Sequence, residues 1–214
     1  LGVGGTPAVL CGSEPAYART RSLSYNAAMK FHREILIAAT LLGSWLGMQA
    51  VHELGHVSGA WLTGGKVEQV VLHPLTISRT DLSENPVPLA VVWAGPLVGA
   101  ILPLLLWLAA AATKVPGSFI LRFFAGFCLI ANGLYISLGS FGRIGDCGEM
   151  LRHGSAIWHL WLFGLIAAPI GIWLWHGQGV EFGLGKSAKT VNPIIAYIIA
   201  AISIATLVAE ILLG

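Results

Sequence analysis

Two histidines four residues apart, with a glutamate beside the first, stand out in the sequence: His52-Glu53-Leu54-Gly55-His56, an H-E-x-x-H motif inside an apolar run. Residues four apart share one face of a helix, so the two imidazoles can turn nitrogens toward a single metal ion. Glu53 sits one step round that helix. There it can accept a proton from a water molecule without spending its charge on coordination. Two imidazole ligands, a carboxylate base and a third ligand from elsewhere in the chain make up the site of a metal-assisted hydrolase. Ionisable groups set in apolar sequence are costly unless they have a function, which weighs against a merely packed pair of histidines.

The surrounding chain reads as membrane. Of 214 residues, 56% are hydrophobic and 10% charged, with a mean hydropathy of +0.77; a soluble domain carries about a quarter charged residues. The net charge of +2 includes no basic cluster, so nucleic acid is not an expected partner. Cys11, Cys128 and Cys147 form no CxxC pair, which argues against a disulfide framework and a thiolate zinc site. Leu1 in place of methionine suggests a processed or internal start. Residues 1–34 lack the basic head and compact apolar core of a signal peptide.

In chain order, residues 1–34 read as an extramembrane arm, loosely structured to about residue 30, with a short interfacial helix over Tyr25 to His32. Residues 35–214 read as the transmembrane domain. Five spans are expected, over Ile35–Leu62, Val87–Thr113, Ser118–Leu138, Ser155–Trp175 and Val191–Leu213. The fold class is thus an all-α polytopic membrane protein with a short β element after the first helix. That element is expected over Lys66 to Thr80, with β-branched residues and a turn at His73-Pro74; Asp81 to Pro88 reads as a loop. Glu210, near the end of the last span, reads as interfacial. The arm and even-numbered connections carry more Lys and Arg than the opposite side, which predicts a cytoplasmic arm and outward-facing metal site.

With short connections, the first and third helices run parallel. The H-E-x-x-H lies near the end of the first, and Asp146 lies just past the end of the third, on the same side. Asp146 is therefore the expected third ligand. Glu149, one turn further on, is its rival, and Cys147 is a softer alternative. His73 reads as a turn residue, and Asp81 and Glu84 as loop carboxylates with no route into the bundle.

These residues resemble the site-2 protease family of intramembrane zinc metalloproteases, especially its M50B-like branch. His52 to Leu72 is similar to that branch's metal helix, Gly-Gly turn and β segment; WAGPLVGA, Trp93 to Ala100, is similar to its A-G-P-L motif. Asn132 through Asp146-Cys147-Gly148 is similar to its N…DG segment. The chain departs from the pattern at Gly99, where members often carry Asn, and at Cys147, where they carry Gly. It also has no proline between Asn132 and Asp146. The resemblance implies Zn2+ on His52, His56 and Asp146, Glu53 as catalytic base and Asn132 as a substrate-positioning residue. It further implies a multi-pass enzyme of the bacterial cytoplasmic membrane acting on a membrane-protein substrate helix within the lipid bilayer. The rival reading is a non-catalytic M50-like subunit of a larger membrane complex, with other membrane subunits as partners.

Overall fold

Five helices in the computed structural model are long and apolar enough to cross a bilayer: Ala27–Leu62, Pro88–Ala112, Ser118–Gly142, Ile157–Trp175 and Pro193–Leu212. The structure describes residues 16–75 and 78–213, with side-chain surroundings from residue 27 to 212. The elements in order are α1 (Ala16–Leu62), β1 (Lys66–Val71), β2 (Arg79–Glu84), α2 (Pro88–Ala112), α3 (Ser118–Gly142), α4 (Asp146–Arg152), α5 (Ile157–Trp175) and α6 (Pro193–Leu213). Helices of 25 residues such as α2 and α3 reach roughly 37 Å, enough to cross a ~30 Å hydrocarbon core with some tilt. The expected fold class stands: an all-α polytopic membrane protein with a small two-stranded sheet after the first helix.

Three local expectations change. From Ala16 the arm is helical and runs without a break into the first span, so α1 is 47 residues long. No Gly or Pro interrupts the chain from Ala16 to Leu42, and good helix formers carry it through. The first fifteen residues of the arm lie outside the described residues. The second strand begins later than expected and takes in Asp81 to Glu84, read from sequence as loop. It pairs antiparallel with β1 in a register that sets Val70 opposite Thr80 and Lys66 opposite Glu84, the latter closed by an ion pair of 2.6 Å. The connection after α3 contains the short helix α4, which the glycines around it disguise.

Helix α1 packs on α2 and α6, and α3 packs on α2 and α5. Small residues allow these approaches: Gly126 and Gly133 of α3 lie directly on Gly171 and on Gly164–Ala168 of α5. Large apolar side chains point outward instead, among them Leu165, Ile172 and Trp173, as they do when lipid is the solvent. Glu210, near the end of α6, is buried, and among the described residues neither of its carboxylate oxygens has a hydrogen-bond partner.

Candidate metal centre

Helix α1 ends at Leu62; the Thr63 hydroxyl donates to the Gly59 carbonyl, and Gly64 takes a left-handed φ of 78°. His52 and His56 therefore sit on the last turns of a continuous helix, both 8% exposed. Their imidazoles meet edge to face, with Nε2 of one 3.1 Å from Nε2 of the other. What lets them meet is a seat of glycines. A methyl group at Gly95 of α2 would fall on the His56 ring, and one at Gly55 of α1 would fall on the Ala94 carbonyl. The A-G-P segment thus brings the α2 backbone against α1 at the level of the imidazoles.

Each ring is held by its far nitrogen. His56 Nδ1 lies 2.9 Å from the Val91 carbonyl oxygen of α2, and His52 Nδ1 lies 2.7 Å from Oδ1 of Asn132 on α3. The Asn132 amide is oriented by its other end, because Nδ2 donates to the Cys128 carbonyl at 2.9 Å. Both partners of the Nδ1 atoms are oxygens that can only accept, so both Nδ1 atoms carry the proton. Both Nε2 atoms then present lone pairs inward. Asn132 is 1% exposed. Both ends of its amide are engaged inside the bundle, one of them on His52. Gly99 makes this possible: a Cβ there would come within 2.9 Å of the Asn132 amide. The departure from the family pattern at Gly99 is the space Asn132 occupies.

Asp146, the first residue of α4, brings Oδ2 to 2.8 Å from His52 Nε2 and 3.4 Å from His56 Nε2. Among the described residues, His52, His56 and Asp146 are the one group of three that could share a metal ion. A tetrahedral ion with bonds of about 2.0–2.1 Å spaces its ligand atoms about 3.3 Å apart. The three separations of 2.8, 3.1 and 3.4 Å bracket that spacing. Three inward-facing acceptor atoms at this spacing fit a divalent cation, and the donor set of two imidazoles and a carboxylate suits zinc.

The loop before α4 is built around Tyr135 of α3, which the sequence reading missed. Its hydroxyl accepts the Asp146 backbone N–H at 3.2 Å, and its ring meets the His52 ring edge on at 5.9 Å. Gly145, with φ of 58°, lies directly against that hydroxyl, where any side chain would clash. The signal was present as a tyrosine one turn after Asn132 on the same helix face, but nothing in the sequence ties it to Gly145.

The rival ligands point elsewhere. Glu149 faces outward and pairs with Arg152 and with His153, the latter at 3.4 Å. Cys147 is fully buried against α3, where its thiol donates to the Tyr135 carbonyl at 3.3 Å. Burial, then the nearby Asp146 charge, pushes that thiol up to about 11. His73 lies in the β1–β2 connection and accepts the Leu75 N–H. Asp81 and Glu84 are spent on Arg79 and Lys66 at the surface. Glu53 is 3% exposed and stands apart from the three-ligand group; its Oε2 accepts a hydrogen bond from Thr80 of β2 at 2.8 Å.

Searches against curated proteins and against solved structures returned no match. A family model described as Peptidase M50B-like matches residues 28–138, just over half of the chain. The match takes in the spanning part of α1, the hairpin, α2 and most of α3, and with them His52, Glu53, His56, Gly95, Gly99 and Asn132. The chain belongs to the Peptidase M50B-like family.

Proposed function

We propose that this chain is a zinc metalloendopeptidase of the bacterial cytoplasmic membrane that hydrolyses peptide bonds in or near the bilayer. The observation that carries the reading is the convergence of His52 Nε2, His56 Nε2 and Asp146 Oδ2, three acceptor atoms with no protein donor among them once both Nδ1 protons are assigned. Such a cluster is stable only around a cation or extra protons. A subunit that merely kept the fold would have no use for two imidazoles held in this tautomer against one carboxylate. Members of the M50 family are zinc metalloproteases, and zinc, when bound, supplies Lewis acidity toward water and toward a carbonyl oxygen.

The residues of the chain divide the remaining work. Glu53, outside the ligand set and next to it, takes the proton of the attacking water and returns it to the departing amine. Asn132 and the Val91 carbonyl hold the imidazole tautomers, and Tyr135 holds the backbone of Asp146. His56 lies six residues before the end of α1, about 9 Å inside it, so the substrate is a membrane-protein helix that must unwind before its carbonyl is accessible. The hairpin β1–β2 offers an unpaired strand edge that can hold the unwound stretch extended.

The test is cleavage by the full chain in lipid vesicles, loaded with zinc. Two probes are used: β-casein, an unfolded polypeptide, and single-span peptides with Asn-Pro or Gly-Gly in the span. The wild type should cut at least one of them, and Glu53→Gln should keep its zinc and cut none. A zinc-loaded wild type that cuts nothing, or a Glu53→Gln variant as active as the wild type, contradicts the proposal.

A further inference from the structure

The hairpin does more than lie beside the site, because one of its side chains holds the carboxylate of Glu53. Thr80 Oγ1 donates to Glu53 Oε2 at 2.8 Å, and among the described residues it is the one side chain that hydrogen-bonds Glu53. Thr80 sits in β2 opposite Val70. Its strand neighbours Arg79 and Asp81 alternate to the other face, where they pair with each other and stay exposed. The connection between the strands is tied to the same helix by Trp45 Nε1 donating to the Pro74 carbonyl at 3.3 Å. The hairpin is thus seated on α1 at two points, and the one nearer the metal ligands is the base itself.

We propose that Thr80 is a positioning residue for the hydrolysis proposed above, on which this inference rests: its hydroxyl pins Glu53 Oε2 and so leaves Oε1 to face the attacking water. A glutamate has three rotatable side-chain bonds, and a buried one without a donor turns toward whatever cation is near. Beside three metal ligands that turn would make Glu53 a fourth ligand and end its service as a base. The threonine hydroxyl opposes this by occupying one oxygen, Oε2. Because Thr80 belongs to the strand pair offered to substrate, the aim of the base is coupled to the seating of the hairpin. A polypeptide docked on a displaced hairpin would meet a misdirected base.

The test uses the full chain in lipid vesicles, zinc-loaded, with β-casein and the single-span peptides as probes, and reads kcat, KM and zinc affinity separately. Thr80→Val keeps the shape and removes the hydroxyl. It should lower kcat by about tenfold to a hundredfold, the effect of losing a hydrogen bond to a charged group that sets reacting geometry. KM and zinc affinity should stay within about twofold, since the Trp45–Pro74 tie and the strand pairing keep the hairpin seated and no metal ligand contacts that hydroxyl. Thr80→Ser should recover most of kcat, and Asp81→Asn, on the outward face of the same strand, should leave all three unchanged. A Thr80→Val variant with wild-type kcat overturns the inference. So does a loss confined to KM or zinc affinity, a Thr80→Ser variant as impaired as Thr80→Val, or an equal loss in Asp81→Asn; each would make Thr80 a structural residue of the hairpin. A wild type that binds zinc and cleaves nothing removes the proteolytic reading and this inference with it, whereas an active wild type with an indifferent Thr80 removes the inference alone.

Discussion

Replacing Asn132 by Leu should weaken zinc binding without unfolding the bundle, although Asn132 is not a ligand. The side chain is 1% exposed, and its Oδ1 accepts the His52 Nδ1–H at 2.7 Å. Leucine has the same branched arrangement of side-chain heavy atoms and no acceptor, so the imidazole N–H is left buried and unpaired. That costs about 1–3 kcal/mol if the ring stays in place. In the metal-free protein the ring can rotate to find another partner and escape the cost. In the zinc-loaded protein it cannot, because Nε2 must keep facing Asp146. The difference falls on binding, and at about 1.4 kcal/mol per tenfold it amounts to about a tenfold to hundredfold loss of affinity. The assay is competition for zinc against a chromophoric chelator, with helical circular dichroism as the check on folding. Gly99→Ala reaches the same contact from the other side, since its methyl would come within 2.9 Å of the Asn132 amide, and should weaken zinc in the same direction. A folded Asn132→Leu protein that holds zinc as tightly as the wild type refutes the role given to this hydrogen bond.

Three further outcomes follow from the same geometry. Tyr135→Phe removes the acceptor for the Asp146 N–H and should lower zinc affinity by about threefold to tenfold, the worth of one neutral hydrogen bond, as read by the same competition. Gly95→Ala places a methyl group on the His56 ring; measured zinc content should fall below stoichiometric while helical content persists, since the two helices still have the rest of their interface. Glu149→Gln should leave zinc affinity unchanged in the chelator assay, because that carboxylate is turned outward to Arg152 and His153.

The parts of this architecture legible in sequence are those set by local pattern. Five apolar runs of about bilayer length announce five helices, and the H-E-x-x-H carries its own geometry because both histidines ride one helix. Asp146 was reachable by one further step, the parallel course of the first and third spans. Relations across long stretches of chain were not legible. Asn132 meets His52 across 80 residues, and Thr80 meets Glu53 across 27; these contacts depend on how closely α1, α2, α3 and the hairpin approach. That closeness is set by Gly55 and Gly95, whose missing side chains leave little mark on periodicity. The strand character of Asp81 to Glu84 was hidden because every residue of β2 but Leu82 is charged or polar, which reads as loop when the cross-strand Lys66–Glu84 pair is unseen. Helix α4 was hidden for a related reason: only Cys147 and Met150 of its seven residues are buried.

The measurement that tests the site most directly is zinc K-edge X-ray absorption on the full chain loaded with one equivalent of zinc. The expected spectrum has a shell of nitrogen and oxygen atoms alone at about 2.0–2.1 Å, with the outer-shell scattering of two imidazole rings. Asp146→Ala should alter that first shell while both ring signatures persist. A sulfur shell near 2.3 Å, which would bring Cys147 to the metal, or zinc held unchanged after His52→Ala or His56→Ala, would contradict the proposed site.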